Sequence, residues 1–254
     1  MELPKMPSFS LKDRSALIVG ASSGIGTACA VALAEHGAKV TLAARRKDKL
    51  EMISHEMEKK EFEVKIIEID INDIKKTSDT ISKLETFDIL VNSAGIAKHS
   101  SALSTLSYDF DLVTNTNLRG AYFLTQSVAK KIISERKKGS LINISSQMGL
   151  VGGHERAVYC ASKHAVEGFT KSMAIEFGNH NIRVNTICPT FILTDLTKET
   201  FEIPKNRKWI EQKIKIGRIG KVEDIMGAVV YLASDASSLV TGSSLLVDGG
   251  WTAG

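Results

Sequence analysis

The sequence predicts an α/β fold: one doubly wound parallel sheet of about seven strands with helices on both faces. Two observations carry this. Short apolar runs alternate with longer segments of helical period from end to end of the 254 residues. The runs are also rich in Val, Ile and Leu without polar alternation, as in strands covered on both faces, and the segments between them suit right-handed crossovers.

In chain order the strand runs are Ala16–Val19, Lys39–Ala43, Val64–Ile69, Ile89–Val91, Leu141–Ile144, Val184–Ile187 and Ser244–Val247. Helical period occupies Ile25–His36, stopped by Gly37, then Asp48–Lys60, Asp73–Leu84 and one long stretch from Tyr108 to Lys138. It returns at Val158–Phe177, stopped by Gly178, and at Val222–Ser234; glycine just past a helix is a common terminator. Residues 190–220, with Pro204, Trp209 and several lysines, form a long irregular insertion after a strand, the expected place for a mobile substrate loop or lid. No repeat or linker divides the chain, so residues 1–254 read as a single domain.

Composition narrows the function classes. A chain of this length buries roughly 70–75% of its unfolded surface and needs no disulfide or metal staple. The 43% hydrophobic and 24% charged residues are ordinary for a globular protein. Against 33 Lys and Arg stand 29 Asp and Glu, a net charge of +4. The densest basic run, Lys130-Lys131 to Arg136-Lys137-Lys138, lacks aromatic residues and reads as a solvated helix end, not a nucleic-acid site. Cys29, Cys160 and Cys188 are odd in number and set in apolar surroundings, which fits a reducing cytoplasm better than a disulfide framework. The first fourteen residues lack a leader pattern and no apolar run reaches about 18 residues, so neither export nor membrane spanning is expected. The six histidines form no metal-ligand spacing, and no metal is expected.

Directly after the first strand comes Gly20-Ala21-Ser22-Ser23-Gly24-Ile25-Gly26, opening a helix. Glycines let the backbone turn tightly against a pyrophosphate, and free N–H groups at the positive end of a helix bind its charge. That context predicts a Rossmann-like dinucleotide site. Where an acidic residue would hold the ribose hydroxyls of NAD, the second strand ends in Ala44-Arg45-Arg46. Arg45 can pair with a 2′-phosphate through its planar fork, which favours NADP(H), with NAD(H) as the second possibility. Asp70, with Ile71, ends the third strand, where it serves either the adenine edge or a helix cap in competition with Asn72 and Asp73.

Tyr159 and Lys163, four residues apart in a helical segment, share one face. A phenol has a pKa near 10, and an adjacent ammonium lowers it toward general acid–base use. Cys160 is turned about 100° away along the helix and is no nucleophile candidate.

The Gly-x-x-x-Gly-x-Gly spacing resembles the classical short-chain dehydrogenase/reductase family. The resemblance spans nearly the whole chain: Asn92-Ser93-Ala94-Gly95, Asn117-Leu118-Arg119-Gly120, Ser145-Ser146, Tyr159-Cys160-Ala161-Ser162-Lys163, Arg183-Val184-Asn185 with Pro189, and Val247-Asp248-Gly249-Gly250. Val19, Ser93 and Thr190 depart from the family pattern, standing where Thr, Asn and Gly are usual. The resemblance implies an NAD(P)-dependent oxidoreductase interconverting a secondary alcohol and a ketone. Tyr159 would move the proton, Ser146 would bind the same substrate oxygen, and Lys163 would also bind the nicotinamide ribose. Asn117 would hold a relay water through its backbone. Asn92, Ala94 and Gly95 would line the adenosine ribose and nicotinamide side, and Ile192 and Thr194 would meet the carboxamide after Pro189. His99, and His154-Glu155-Arg156 just before Tyr159, fall either in plain loops or where the family forms its substrate pocket; in the latter case these polar and cationic residues imply a hydrophilic or anionic substrate, a sugar, polyol or hydroxy acid, with His99 and His154 at the substrate. A 3-oxoacyl-thioester reductase of fatty-acid synthesis is the alternative within the family, and a cofactor-binding regulator without catalysis the alternative outside it. The C-terminal segment resembles the family's subunit interface, which implies a homotetramer.

Overall fold

The computed structural model describes residues 1–254. Seven strands, β1 (Ser15–Val19), β2 (Lys39–Ala44), β3 (Val64–Glu68), β4 (Ile89–Asn92), β5 (Gly139–Ile144), β6 (Ile182–Pro189) and β7 (Ser244–Val247), form one sheet of order β3-β2-β1-β4-β5-β6-β7. Every neighbouring pair is parallel. Burial on both faces follows from the apolar runs. In β1, Ala16 and Ile18 pack into one core layer with Leu33, Leu50 and Val229, while Leu17 and Val19 pack into the other with Leu124, Val128 and Ile132.

The first layer is covered by α1 (Gly24–Glu35), α2 (Lys47–Glu58) and α9 (Glu223–Ala233), the second by α3 (Ile74–Lys83), α5 (Ala121–Ser134) and α6 (Ala157–Phe177). Strand order reverses at β1, whose neighbours β2 and β4 lead away in opposite directions. The crevice this opens at the carboxyl ends of β1 and β4 is where doubly wound sheets bind ligands.

Two expectations need correction. The stretch from Tyr108 to Lys138 is not one α-helix: α4 (Ser107–Thr114) passes into a π-helical segment, Asn115–Gly120, before α5. Asn117 is fastened there by two side-chain bonds to the Ile96 backbone, donating to its carbonyl at 2.8 Å and accepting from its N–H at 2.9 Å. Widened turns of this kind concentrate at functional sites. Residues 190–220 are not irregular either. They carry α7 (Lys198–Glu202) and α8 (Pro204–Lys213), anchored by buried Phe201, Ile210 and Ile214, with Pro204 at the helix-starting position where its missing N–H costs nothing.

Candidate active site

The glycine turn lies in the crevice, and its geometry excludes side chains. Gly20 has φ +84°, and a Cβ there would stand 2.6 Å from the Ala94 nitrogen. A Cβ on Gly26 would stand 2.2 Å from the Gly20 carbonyl oxygen, so this glycine lets α1 close against the turn. Ser23 precedes α1 without a side-chain cap, which leaves the first N–H groups of the helix open to the crevice. The cleft of about 430 Å³ includes Gly20, Ser22, Ser23, Gly24 and Ile25 in its walls. These features fit a dinucleotide pyrophosphate, which needs close backbone approach and unpaired donors at a helix N-terminus.

Arg45, Asp70, Ile71, Ala94, Gly95 and Thr194 also reach this cleft. So does Arg46, for which the sequence suggests no cofactor role of its own. Its Nη2 donates to Ser22 Oγ at 2.9 Å and to Ser23 Oγ at 3.2 Å, spanning the cleft between β2 and the glycine turn. Two arginines at a strand end opposite a Ser-Ser turn were the available signal. Asp70 caps no helix: its Oδ1 accepts from the Asn72 N–H at 3.0 Å, and Asp73 caps α3 by accepting from Lys76.

Besides Tyr159 and Lys163, also expected at the cofactor, four expected cofactor residues do not line the cleft. Gly26 is enclosed at the helix start. Asn92 is buried and braces β4, donating to Asn143 Oδ1 at 3.2 Å and accepting from the Ala94 N–H at 3.3 Å. Pro189 ends β6, and Ile192 packs into the core and against Gly220, because the chain after β6 forms a bridge there.

Ser146 follows β5, and Tyr159 and Lys163 lie on α6. Lys163 is buried, its Nζ donating to the Ile144 carbonyl at 2.9 Å and standing 5.8 Å from the Tyr159 ring centroid. Desolvation pulls its ammonium down to about 8. Tyr159 does not show the lowered pKa that its spacing from Lys163 predicted. Burial pushes the phenol up first, and hydrogen bonding to Ser146 and the charge of Arg156 only partly oppose it. Ser146 Oγ accepts from the Met148 N–H at 3.1 Å and donates to Gln147 Oε1 at 2.8 Å, a partner that sequence reading missed. Ser145 faces away from this group, its hydroxyl near the backbone of Gly149, as strand alternation requires. Gly95 keeps the cleft open to the same group: a Cβ there would meet Asn117 Oδ1 at 3.4 Å and Lys163 Nζ at 3.7 Å. Cys160 is buried in a cluster with Met148, Phe191 and Ile210.

A second cavity, of about 70 Å³, adjoins the first at Leu196 and is walled by Ser146, Tyr159, His99 and Arg156. The His99 ring meets Tyr159 edge-on at 6.2 Å between centroids. His154 is not in this cavity. It opens onto a neighbouring depression beside Asn206 and Trp209, while Arg156, two residues on, is the one directed toward Tyr159.

Comparison with known proteins agrees with this geometry. A family profile described as enoyl-(acyl carrier protein) reductase matches residues 20–252. The chain is 34% identical to the D-erythrulose reductase of Gallus gallus over 96% of its own length and 98% of that protein. It is 38% identical to the 3-oxoacyl-[acyl-carrier-protein] reductase FabG of Rickettsia prowazekii, over 95% and 98% respectively. Among solved structures, a gluconate 5-dehydrogenase of Burkholderia cenocepacia, crystallised with NADP and tartrate, superposes with a TM-score of 0.93 at 30% identity over 97% of this chain and 98% of that one. Fold, glycine turn and sequence thus agree that the chain belongs to the classical short-chain dehydrogenase/reductase family of NAD(P)-dependent oxidoreductases acting on CH–OH groups.

Proposed function

We propose that this chain, acting as one domain over residues 1–254, interconverts a secondary alcohol and a ketone in a polar substrate: a sugar, polyol or hydroxy acid. NADP(H) is the favoured cofactor and NAD(H) the second. The observation that carries the reading is the wall of the smaller cavity, where Tyr159 and Ser146 are joined by Arg156, His99 and the hydroxyls of Thr190, Thr197 and Thr200. Arg45 and Arg46 at the end of β2, with no carboxylate there, support the cofactor preference. The NADP bound by the Burkholderia relative supports it too.

The chemistry supplied by the bound nicotinamide is hydride transfer. Tyr159 gives its phenolic proton to the carbonyl oxygen in reduction and takes it back in oxidation. Ser146 turns its hydroxyl from Gln147 to the same oxygen, and hydrogen bonding to Ser146 and the charge of Arg156 favour the phenolate against the burial that opposes it. Asn117, in the π-helical segment, offers a backbone carbonyl to a water that links Lys163 to solvent. Residues 190–220 form the substrate loop, a role supported by Leu196, which borders both cavities. Three free, buried cysteines support a cytoplasmic setting, and no helix is long and apolar enough to cross a membrane. The exposed Leu246 on edge strand β7 supports a homotetramer built on the C-terminal segment.

The second reading, reduction of a 3-oxoacyl thioester, is favoured by the 38% identity to the Rickettsia reductase. A panel of sugars, polyols, hydroxy acids and acetoacetyl thioesters with both cofactors decides between the two. Turnover confined to thioesters overturns the polar-substrate reading. Tyr159→Phe is expected to lower turnover by about 10²–10⁴-fold while NADP(H) affinity, measured by fluorescence titration, changes less than about threefold. Retained turnover excludes Tyr159 as the acid–base group.

A further inference from the structure

Arg156 precedes α6 and is half-buried in the wall of the smaller cavity. Its guanidinium lies 5.2 Å from the centroid of the Phe191 ring, and Nη1 is turned to His99, 3.2 Å from Nδ1 and in contact with Nε2. His99 brings no compensating charge. Desolvation, and then the charge of Arg156, push it down to about 4, so it is neutral at pH 7. None of the chain's ion pairs includes Arg156.

The other arginines drawn into the fold are satisfied. Arg183 donates to the carbonyls of Leu232, Ser234 and Val240, and Arg14 pairs with Asp235 at 2.6 Å. Arg156, partly withdrawn from water, has no anion in ion-pair contact, the charge of Glu155 opposing its desolvation only in part, an arrangement that a bound anion would relieve. With Nη1 committed to His99, Nε and Nη2 remain as two parallel donors, the edge that fits a carboxylate. A second orphan stands in the same wall: Thr190 Oγ1 is buried with no hydrogen-bond partner.

We propose that Arg156 recognises a carboxylate on the substrate, so that the chain acts on hydroxy acids of the aldonate type in preference to neutral sugars and polyols. This rests on the reading of the site as that of a polar-alcohol oxidoreductase. The guanidinium fork grips two carboxylate oxygens, whereas a neutral hydroxyl engages a single donor. Thr190 adds a hydroxyl near the same anion, and the reacting carbon is left beside Tyr159 and Ser146.

The test compares matched pairs, gluconate with glucitol and tartrate with threitol. Dissociation constants are measured by calorimetry on the NADP⁺-loaded wild type, Arg156→Gln and Arg156→Lys, together with kcat and KM for gluconate and glucitol. In the wild type each acid is expected to bind at least about tenfold tighter than its neutral partner, with a ratio of about 10–100 for a charge-assisted pair. Arg156→Gln brings that ratio close to one, with the loss falling on KM, and Arg156→Lys keeps part of it. Equal binding of acid and neutral partner by the wild type overturns the proposal, as does an unchanged ratio in Arg156→Gln. If Arg156→Gln does not fold, the wild-type and Arg156→Lys ratios decide. Polyol oxidation without preference for acids removes this inference and leaves the proposed function standing. Turnover restricted to thioesters removes the proposed function, and the binding ratios still report on Arg156.

Discussion

Lys163 is a buried ammonium whose partner in the chain is a carbonyl oxygen, and the cost is visible as a pKa pulled from 10.5 to about 8. Between those values the unfolded chain holds the proton that the folded chain has released, so stability rises with pH across that window. The contribution is on the order of 3 kcal/mol, absent below pH about 8 and complete above pH about 10.5. Urea unfolding from pH 7.5 to 10.5 should show a component of this rise that Lys163→Met lacks; identical pH slopes would contradict the buried-ammonium account. At the mouth of the crevice the prediction concerns the cofactor. Arg46 already reaches both serines of the glycine turn. Arg46→Ala should therefore lower the NADP⁺ to NAD⁺ affinity ratio by about tenfold or more, and by more than Arg45→Ala, as expected for loss of a charge-assisted phosphate contact. Titration of both variants with both cofactors checks this. The Tyr159–Lys163 pair could be read from the sequence because i and i+4 share a helix face. The Arg156–His99 contact could not, since 57 residues separate the partners and only packing brings them together.

Among the elements, the glycine turn shows how a local rule becomes a binding surface. Gly26 has no freedom to gain a side chain, because a Cβ would overlap the Gly20 carbonyl at 2.2 Å. Gly26→Ala should cost about 1–3 kcal/mol in unfolding free energy and weaken NADP(H) binding together with it. Wild-type stability with normal cofactor affinity would show that α1 can shift freely. The first strand, the turn and α1 were legible because their chemistry is contiguous. The π-helical segment was not. Asn115–Gly120 carries no local signal of a widened turn, and Asn117 within it is bonded to Ile96, 21 residues away in sequence. Residues 190–220 carried the opposite error: polar composition read as irregular, yet Phe201, Ile210 and Ile214 anchor two helices over the site.

Across the molecule, α6, which carries Tyr159 and Lys163, is joined to the far half of the sheet through Glu167. Its buried carboxylate accepts from Thr186 Oγ1 at 2.9 Å and Cys188 Sγ at 3.3 Å, both on β6, and from Ser244 Oγ on β7. Glu167→Ala strands three donors and should cost about 2–4 kcal/mol, seen as a lower urea midpoint with an unchanged slope. A cost below about 0.5 kcal/mol, typical of surface substitutions, would mean that this link does not hold α6 to the sheet. The sequence by itself determined the parallel α/β class, the glycine turn after the first strand and the placing of Tyr159 and Lys163 on one helix face, because each depends on residues close in the chain or on strand and helix period, whereas Ser146 was singled out by the family resemblance. Tertiary structure decided which cations face the cleft, where the long helix widens, and that Arg156 rather than His154 stands beside Tyr159. Those outcomes depend on which distant surfaces meet, and a side chain's partners across a fold leave no period in the sequence.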